Sequence, residues 1–202
     1  MLLSSAFAQA TEKSVWVPTS ESQIEIRLKY TLGTHELMTG DVRGQVVRNA
    51  KGDSIEGELI VPISSIKEGS AKLECHLRES LGLDYRVSDF PKRHVCDDNH
   101  DLPNEGKNAV VYHEIRLKID RVERMESKKK VIGTWTIHGK SVPADELFVD
   151  YPDSAADSLD VLASAEFKLA DFGIVVKNAF VISVADIAKV KMKLKFKRET
   201  TK

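Results

Sequence analysis

The chain of 202 residues sets 30 basic against 31 acidic side chains, a formal net charge of −1, and is 42% hydrophobic and 30% charged. That length bounds it to one domain or two very small ones, and the balanced charge leaves no global field to draw in nucleic acid. The hydrophobic fraction excludes a disordered chain, and no apolar run approaches the roughly 20 residues needed for a membrane-spanning helix. Met1 to Ala10 has no charged side chain, is apolar at Leu2, Leu3, Ala6 and Phe7, and ends in Ala8-Gln9-Ala10, the small-x-small pattern that signal peptidase reads. Residues 1–10 therefore read as the residual tail of a secretion signal and 11–202 as a single exported domain. Cys75 and Cys96 suit an oxidising compartment, where such a pair is held as a disulfide.

From Ile24 onward apolar residues occupy every second position (Ile24, Ile26, Leu28, Tyr30, Leu32) around Glu25, Arg27 and Lys29, the pattern of a half-buried strand. It returns at Val42 to Val46 and at Leu59, Val61 and Ile63. It is clearest at Val111, His113, Ile115, Leu117 and Ile119, and it recurs at Ile132 to Ile137. Asp157 to Leu169 holds helix-favouring alanines, yet Leu159, Val161, Ala163, Ala165, Phe167 and Leu169 alternate, so it is assigned as a strand. Near the C-terminus Val190, Met192, Leu194 and Phe196 alternate with Lys189, Lys191, Lys193, Lys195 and Lys197, which marks the wet face.

One helix is expected, from Ser70 to Leu81. Leu73, Leu77 and Leu81 recur every fourth residue, Ser70 stands where a side-chain cap belongs, and Gly82 stands where a left-handed C′ residue belongs. Gly82 to Lys107 lacks periodicity and reads as one long ordered loop. Many strands with polar outer faces and a single helix leave two costly edges unless the sheet closes on itself. The fold class is therefore all-β: a lipocalin-like antiparallel barrel of about eight strands with one short helix at its mouth, wide enough for one slender ligand. A β-sandwich is the competing architecture.

Four motifs in order resemble the YceI family of mostly periplasmic, lipocalin-like proteins. Gly40-Asp41-Val42-Arg43-Gly44 resembles its early V-x-G strand. Ile60-Val61-Pro62-Ile63-Ser64-Ser65-Ile66 and Glu74-Cys75-His76-Leu77-Arg78 resemble its S-I strand end and D-x-H-L-R helix. Trp135 to Pro143 is similar to its L-T-I-R-G-V-T-K-P-V hairpin, with His138 in place of the arginine, and Leu169 to Ile174 to its R-S-D-F-G-I segment. The stretch through Tyr85, Phe90-Pro91 and His94 to Cys96 is longer than the family's. The resemblance implies binding of a long apolar molecule (a polyprenyl, an isoprenoid quinone or a fatty-acyl chain) with no chemical reaction and no cofactor. Candidate ligand contacts are Leu28, Tyr30, Val61, His76, Leu77, Ile115, Leu117, Trp135, Phe167, Phe172, Met192 and Leu194, each of which could instead fill a solid core.

Cys75-His76 and His94-x-Cys96 form a near-symmetric thiol and imidazole set. A disulfide between the cysteines closes a loop of about 20 residues and adds roughly 3 kcal/mol, while the alternative function is a metal- or redox-linked periplasmic protein holding zinc, copper or haem iron at these four residues. His76 either reaches the barrel mouth or bonds locally. No Ser-His-Asp order, phosphate-cradling glycine loop or zinc-peptidase helix is present, so an enzymatic role has nothing to rest on. The lysine stripe reads as a solvated outer face, leaving membrane contact peripheral at most. A homodimer is left open.

Overall fold

A computed structural model describes residues 13–49, 55–93, 95–97, 99–126, 128–152, 157–175 and 184–199. The signal-like segment 1–10 and His94 lie outside these residues. Among the described residues the strands are β1 (Lys13–Pro18), β2 (Gln23–Tyr30), β3 (Gly33–Thr39), β4 (Arg43–Asn49), β5 (Ile55–Pro62), β6 (Glu114–Arg124), β7 (Lys129–Ile137), β8 (Lys140–Pro143), β9 (Phe148–Asp150), β10 (Ser158–Lys168) and β11 (Val184–Glu199), with one α-helix, α1 (Ala71–Gly82), between β5 and β6.

Antiparallel pairing runs β1-β4-β5-β6-β7-β9-β10-β11 and returns from β11 to β1, a closed ring of eight strands. β2 prolongs β1 along β11, and β3 prolongs β4 along β2. The break between β1 and β2 is bridged by Ser22, whose hydroxyl donates to the Lys195 carbonyl at 3.2 Å and accepts the Lys195 amide at 3.1 Å. Closure satisfies the backbone groups that an open sheet of this size would leave unpaired.

The period-two rows turn inward as expected: Ala188, Val190, Met192, Leu194 and Phe196 are buried while their lysine neighbours are exposed. The alanine-bearing β10 is a strand, because Leu159, Val161 and Ala165 are buried in register with β11. Packing overrides the local helix preference there. Two expectations shift on β6. Val111 and His113 precede the strand, since the amides of Val111 and Tyr112 donate to the Gly82 carbonyl at 2.8 and 3.0 Å, and Val111 is exposed. A bulge between Ile119 and Arg121 then moves the inward row onto Val122.

The helix ends also differ from expectation. Ser70 stands at the N-cap with its side chain unused; the Glu74 carboxylate takes the amides of Glu68 and Gly69 instead, both at 3.3 Å. Burial raises the Glu74 pKa, but the Lys67 ammonium and these amides outweigh it and hold the group below its ordinary value. Gly82 is the last helical residue and is not left-handed; it is small because a Cβ there would come 2.9 Å from Val110 Cγ1.

Candidate functional site

The inward rows enclose two apolar chambers, of about 90 Å³ on the helix side and about 50 Å³ at the far side, and neither exposes a polar atom. Met192 lines both, standing between Ala163 of β10 and Ile24 of β2. Of the expected ligand contacts, Leu28, Val61, Leu77, Ile115, Trp135, Phe167 and Phe172 line the helix-side chamber, Leu117 and Leu194 the far one, and Met192 both. Tyr30 and His76 line neither. Tyr30, ending β2, stacks on the His35 ring with centroids 4.3 Å apart, and His76 Nδ1 lies 2.7 Å from Glu79 Oε2.

These chambers are smaller than the roughly 300–1,000 Å³ of ordinary ligand pockets. A long chain enters the barrel only by moving side chains. Met192 is the side chain best suited to move, being unbranched and joined through several rotatable bonds, whereas the β-branched residues around it are stiff. The far side ends on Tyr151, a residue that simple alternation does not single out because it follows β9 in a loop. The Lys129 ammonium sits 3.8 Å from its ring centroid and the buried Arg48 guanidinium 5.6 Å.

The helix-side chamber is roofed by α1, which lays Leu77 and Leu81 over it. Cys75 and Cys96 are bonded to each other across a separation of 21 residues, with Cα atoms 6.5 Å apart. That bond removes both thiolates from any metal set, and among the described residues no three His, Cys, Asp or Glu side chains converge. Beside the bond the wholly buried Glu79 accepts the Val95 amide at 3.0 Å.

Opposite α1, β7 and β8 meet through a two-residue turn in which His138 (φ 51°) and Gly139 (φ 71°) are both left-handed, the geometry of a twisted hairpin. His138 follows the end of β7 and is buried: its Nε2 donates to the Leu83 carbonyl at 2.7 Å, and the rings of Tyr85 and Tyr112 lie 4.3 and 4.8 Å away. Burial pushes the Tyr85 phenol up. The adjacent Asp84 is drawn down to about 2 by hydrogen bonds from the Arg86 guanidinium and amide. Gly173, at φ 67°, ends the short 3₁₀ turn Leu169–Phe172 in a conformation that favours glycine, which is the physical content of the D-F-G-I resemblance.

The lysine stripe is partly knitted to its neighbours: Lys189 pairs with Glu166 at 2.8 Å and Lys195 with Glu21 at 2.5 Å. Glu166 of the neighbouring β10 and Glu21 of the turn between β1 and β2 thus neutralise part of it, as a solvated outer wall requires.

Residues 17–196 match the YceI-like domain. The chain belongs to the YceI-like family. Solved structures share its fold at low identity. Burkholderia cenocepacia BcnA superposes with a TM-score of 0.65 at 13% identity, over 88% of this chain and 98% of that one. A polyisoprenoid-binding domain from Saccharophagus degradans implicated in plant cell wall breakdown gives 0.59 at 11% identity, over 94% and 100%. The Campylobacter jejuni YceI protein gives 0.56 at 13% identity, over 80% and 82%. No curated protein matches the chain significantly. Among the described residues no helix of this YceI-like protein is long and apolar enough to cross a membrane.

Proposed function

We propose that this YceI-like protein binds and carries a long apolar molecule of isoprenoid type, a polyprenyl, an isoprenoid quinone or a fatty-acyl chain, inside its barrel and performs no chemical step. The observation that carries this reading is the interior: a barrel wall that presents no polar atom to either chamber, divided by one flexible methionine. Each methylene withdrawn from water there contributes about 0.8 kcal/mol, so a hydrocarbon tail needs shape from the wall and no directed bonds. The name of the Saccharophagus domain supports an isoprenoid in particular. The bridged cysteines support a periplasmic or secreted setting, since such bonds persist in oxidising compartments. They also weigh against a metal- or redox-linked role for the Cys75, His76, His94 and Cys96 group.

The test is organic extraction of protein purified without detergent, followed by mass spectrometry. A prenyl or acyl species in near-stoichiometric amount is expected. Protein that carries no apolar species, and that acquires none from added polyprenol, rejects the reading.

A further inference from the structure

The hydrogen-bonded wall is broken on one flank. β9 meets β10 at Leu162, Ala163 and Ser164, and beyond them Ala165 to Lys168 pair with β11 alone. β8 lies on the other side of the gap and pairs with β7 alone. Over this stretch the two strands face each other without a ladder, so they can separate without breaking backbone hydrogen bonds between them.

Between their edges lies an open cleft of about 290 Å³, with Val142, Leu147, Glu166, Lys168 and Ile187 among its lining and Trp135, Phe167 and Phe172 against the interior. The same three aromatic side chains line the helix-side chamber. Trp135 and Phe167 meet edge to face at 4.9 Å between centroids, and Phe167 and Phe172 at 6.0 Å. These shared rings form the boundary between cleft and chamber. Phe167 belongs to the inward row of β10, yet it is half-buried where Val161, Ala165 and Leu169 of that row are buried. Its partner on β11 is Ala188, whose methyl group leaves the ring more room than a branched side chain would.

The roof, by contrast, is pinned. The Cys75–Cys96 bond, the Glu79 bond to Val95, the Gly82 carbonyl shared by two amides and the His138 bond to Leu83 all hold α1 or its C-terminal end.

We propose that the apolar ligand enters sideways, through the cleft between β8 and β10, with the Phe167 ring as the gate and α1 as a fixed roof. This inference rests on the carrier reading above and specifies its route. The experiment is stopped-flow uptake of a fluorescent polyene fatty acid, cis-parinaric acid, by the full chain.

Phe167→Ala, or the milder Phe167→Leu where alanine impairs folding, speeds uptake by about tenfold, equivalent to removing ~1.4 kcal/mol from the entry barrier. The Cys75→Ser/Cys96→Ser chain takes up the probe at an unchanged rate. Faster entry in the cysteine variant, or unchanged entry in the folded Phe167 variants, overturns the lateral route while leaving the carrier reading intact. No uptake by the unaltered chain overturns the carrier reading itself, and the route with it.

Discussion

Glu79 and Val95 are joined by a hydrogen bond that ties the helix to the loop beyond it: the backbone amide of Val95 donates to the wholly buried carboxylate at 3.0 Å, while the other carboxylate oxygen faces His76 Nδ1. A buried carboxylate is costly unless its lone pairs are used. Glu79→Ala leaves the Val95 amide without this acceptor beneath the roof and is expected to lower unfolding free energy by about 1–3 kcal/mol. Urea denaturation checks it. A loss below a few tenths of a kcal/mol would show that the carboxylate does not hold the roof.

The disulfide next to it acts mainly on the unfolded chain. Replacing both cysteines by serine is expected to cost about 3 kcal/mol, the loop-closure entropy for a separation of this size, while the barrel's far-ultraviolet circular dichroism stays unchanged. Equilibrium unfolding with and without reductant provides the measurement.

The inward rows of β2, β10 and β11 are legible in the sequence because each faces a dry interior on one side and water on the other, so polarity alternates along most of each strand, the exposed Leu162 and Ile187 being interruptions of the outer face. The closed barrel follows from the same rows, since so many one-sided strands need an edge-free arrangement. Tyr30 and His76 are the two candidate contacts that line neither chamber. Tyr30 continues the period-two row of β2 and His76 is singled out by the resemblance of its helix, and each side chain meets a local partner, His35 for one and Glu79 for the other. The bulge that hands the inward row from Ile119 to Val122 is invisible to a fixed period. So is the burial of His138, which depends on the Leu83 carbonyl, 55 residues away along the chain.

His138 tests whether that long-range bond matters. Asn tolerates the left-handed backbone of the turn but is too short to reproduce the imidazole's packing between two tyrosines. His138→Asn is therefore expected to cost about 1–3 kcal/mol, the penalty of an unmade buried bond, whereas Gly139→Ala strains the turn directly and brings a Cβ to 2.5 Å from Tyr112 Cε1. Thermal denaturation of both variants reads the difference from the unaltered chain.

Acid should loosen the same corner. Hydrogen bonds from Arg86 hold Asp84 down to about 2 from an ordinary 3.8, and Lys107 and Asn108 lower Asp89 as well. A carboxylate with a depressed folded-state pKa contributes stability that is complete above the unfolded value and vanishes as pH falls through the folded one. Stability is expected to decline between about pH 4 and pH 2, and less steeply in Asp84→Asn, as followed by urea midpoints across that range.

Met192 divides the interior, so its size should set what the barrel admits. Met192→Ala joins the two chambers at a stability cost of about 2–5 kcal/mol and is expected to tighten binding of the longer of two prenyl chains relative to the shorter. Equal affinities for both chains in this variant and in the unaltered protein would remove Met192 as the partition.

The central claim is that a hydrocarbon chain occupies the space beside Trp135. The protein has two tryptophans, and Trp16→Phe leaves Trp135 as the sole reporter, set in the wall of the helix-side chamber. Titrating that variant with an isoprenoid quinone, which quenches indole fluorescence at close range, should give saturable quenching at one equivalent of ligand. Quenching that rises linearly without saturation, as for a quencher meeting the protein only by collision, would contradict the account.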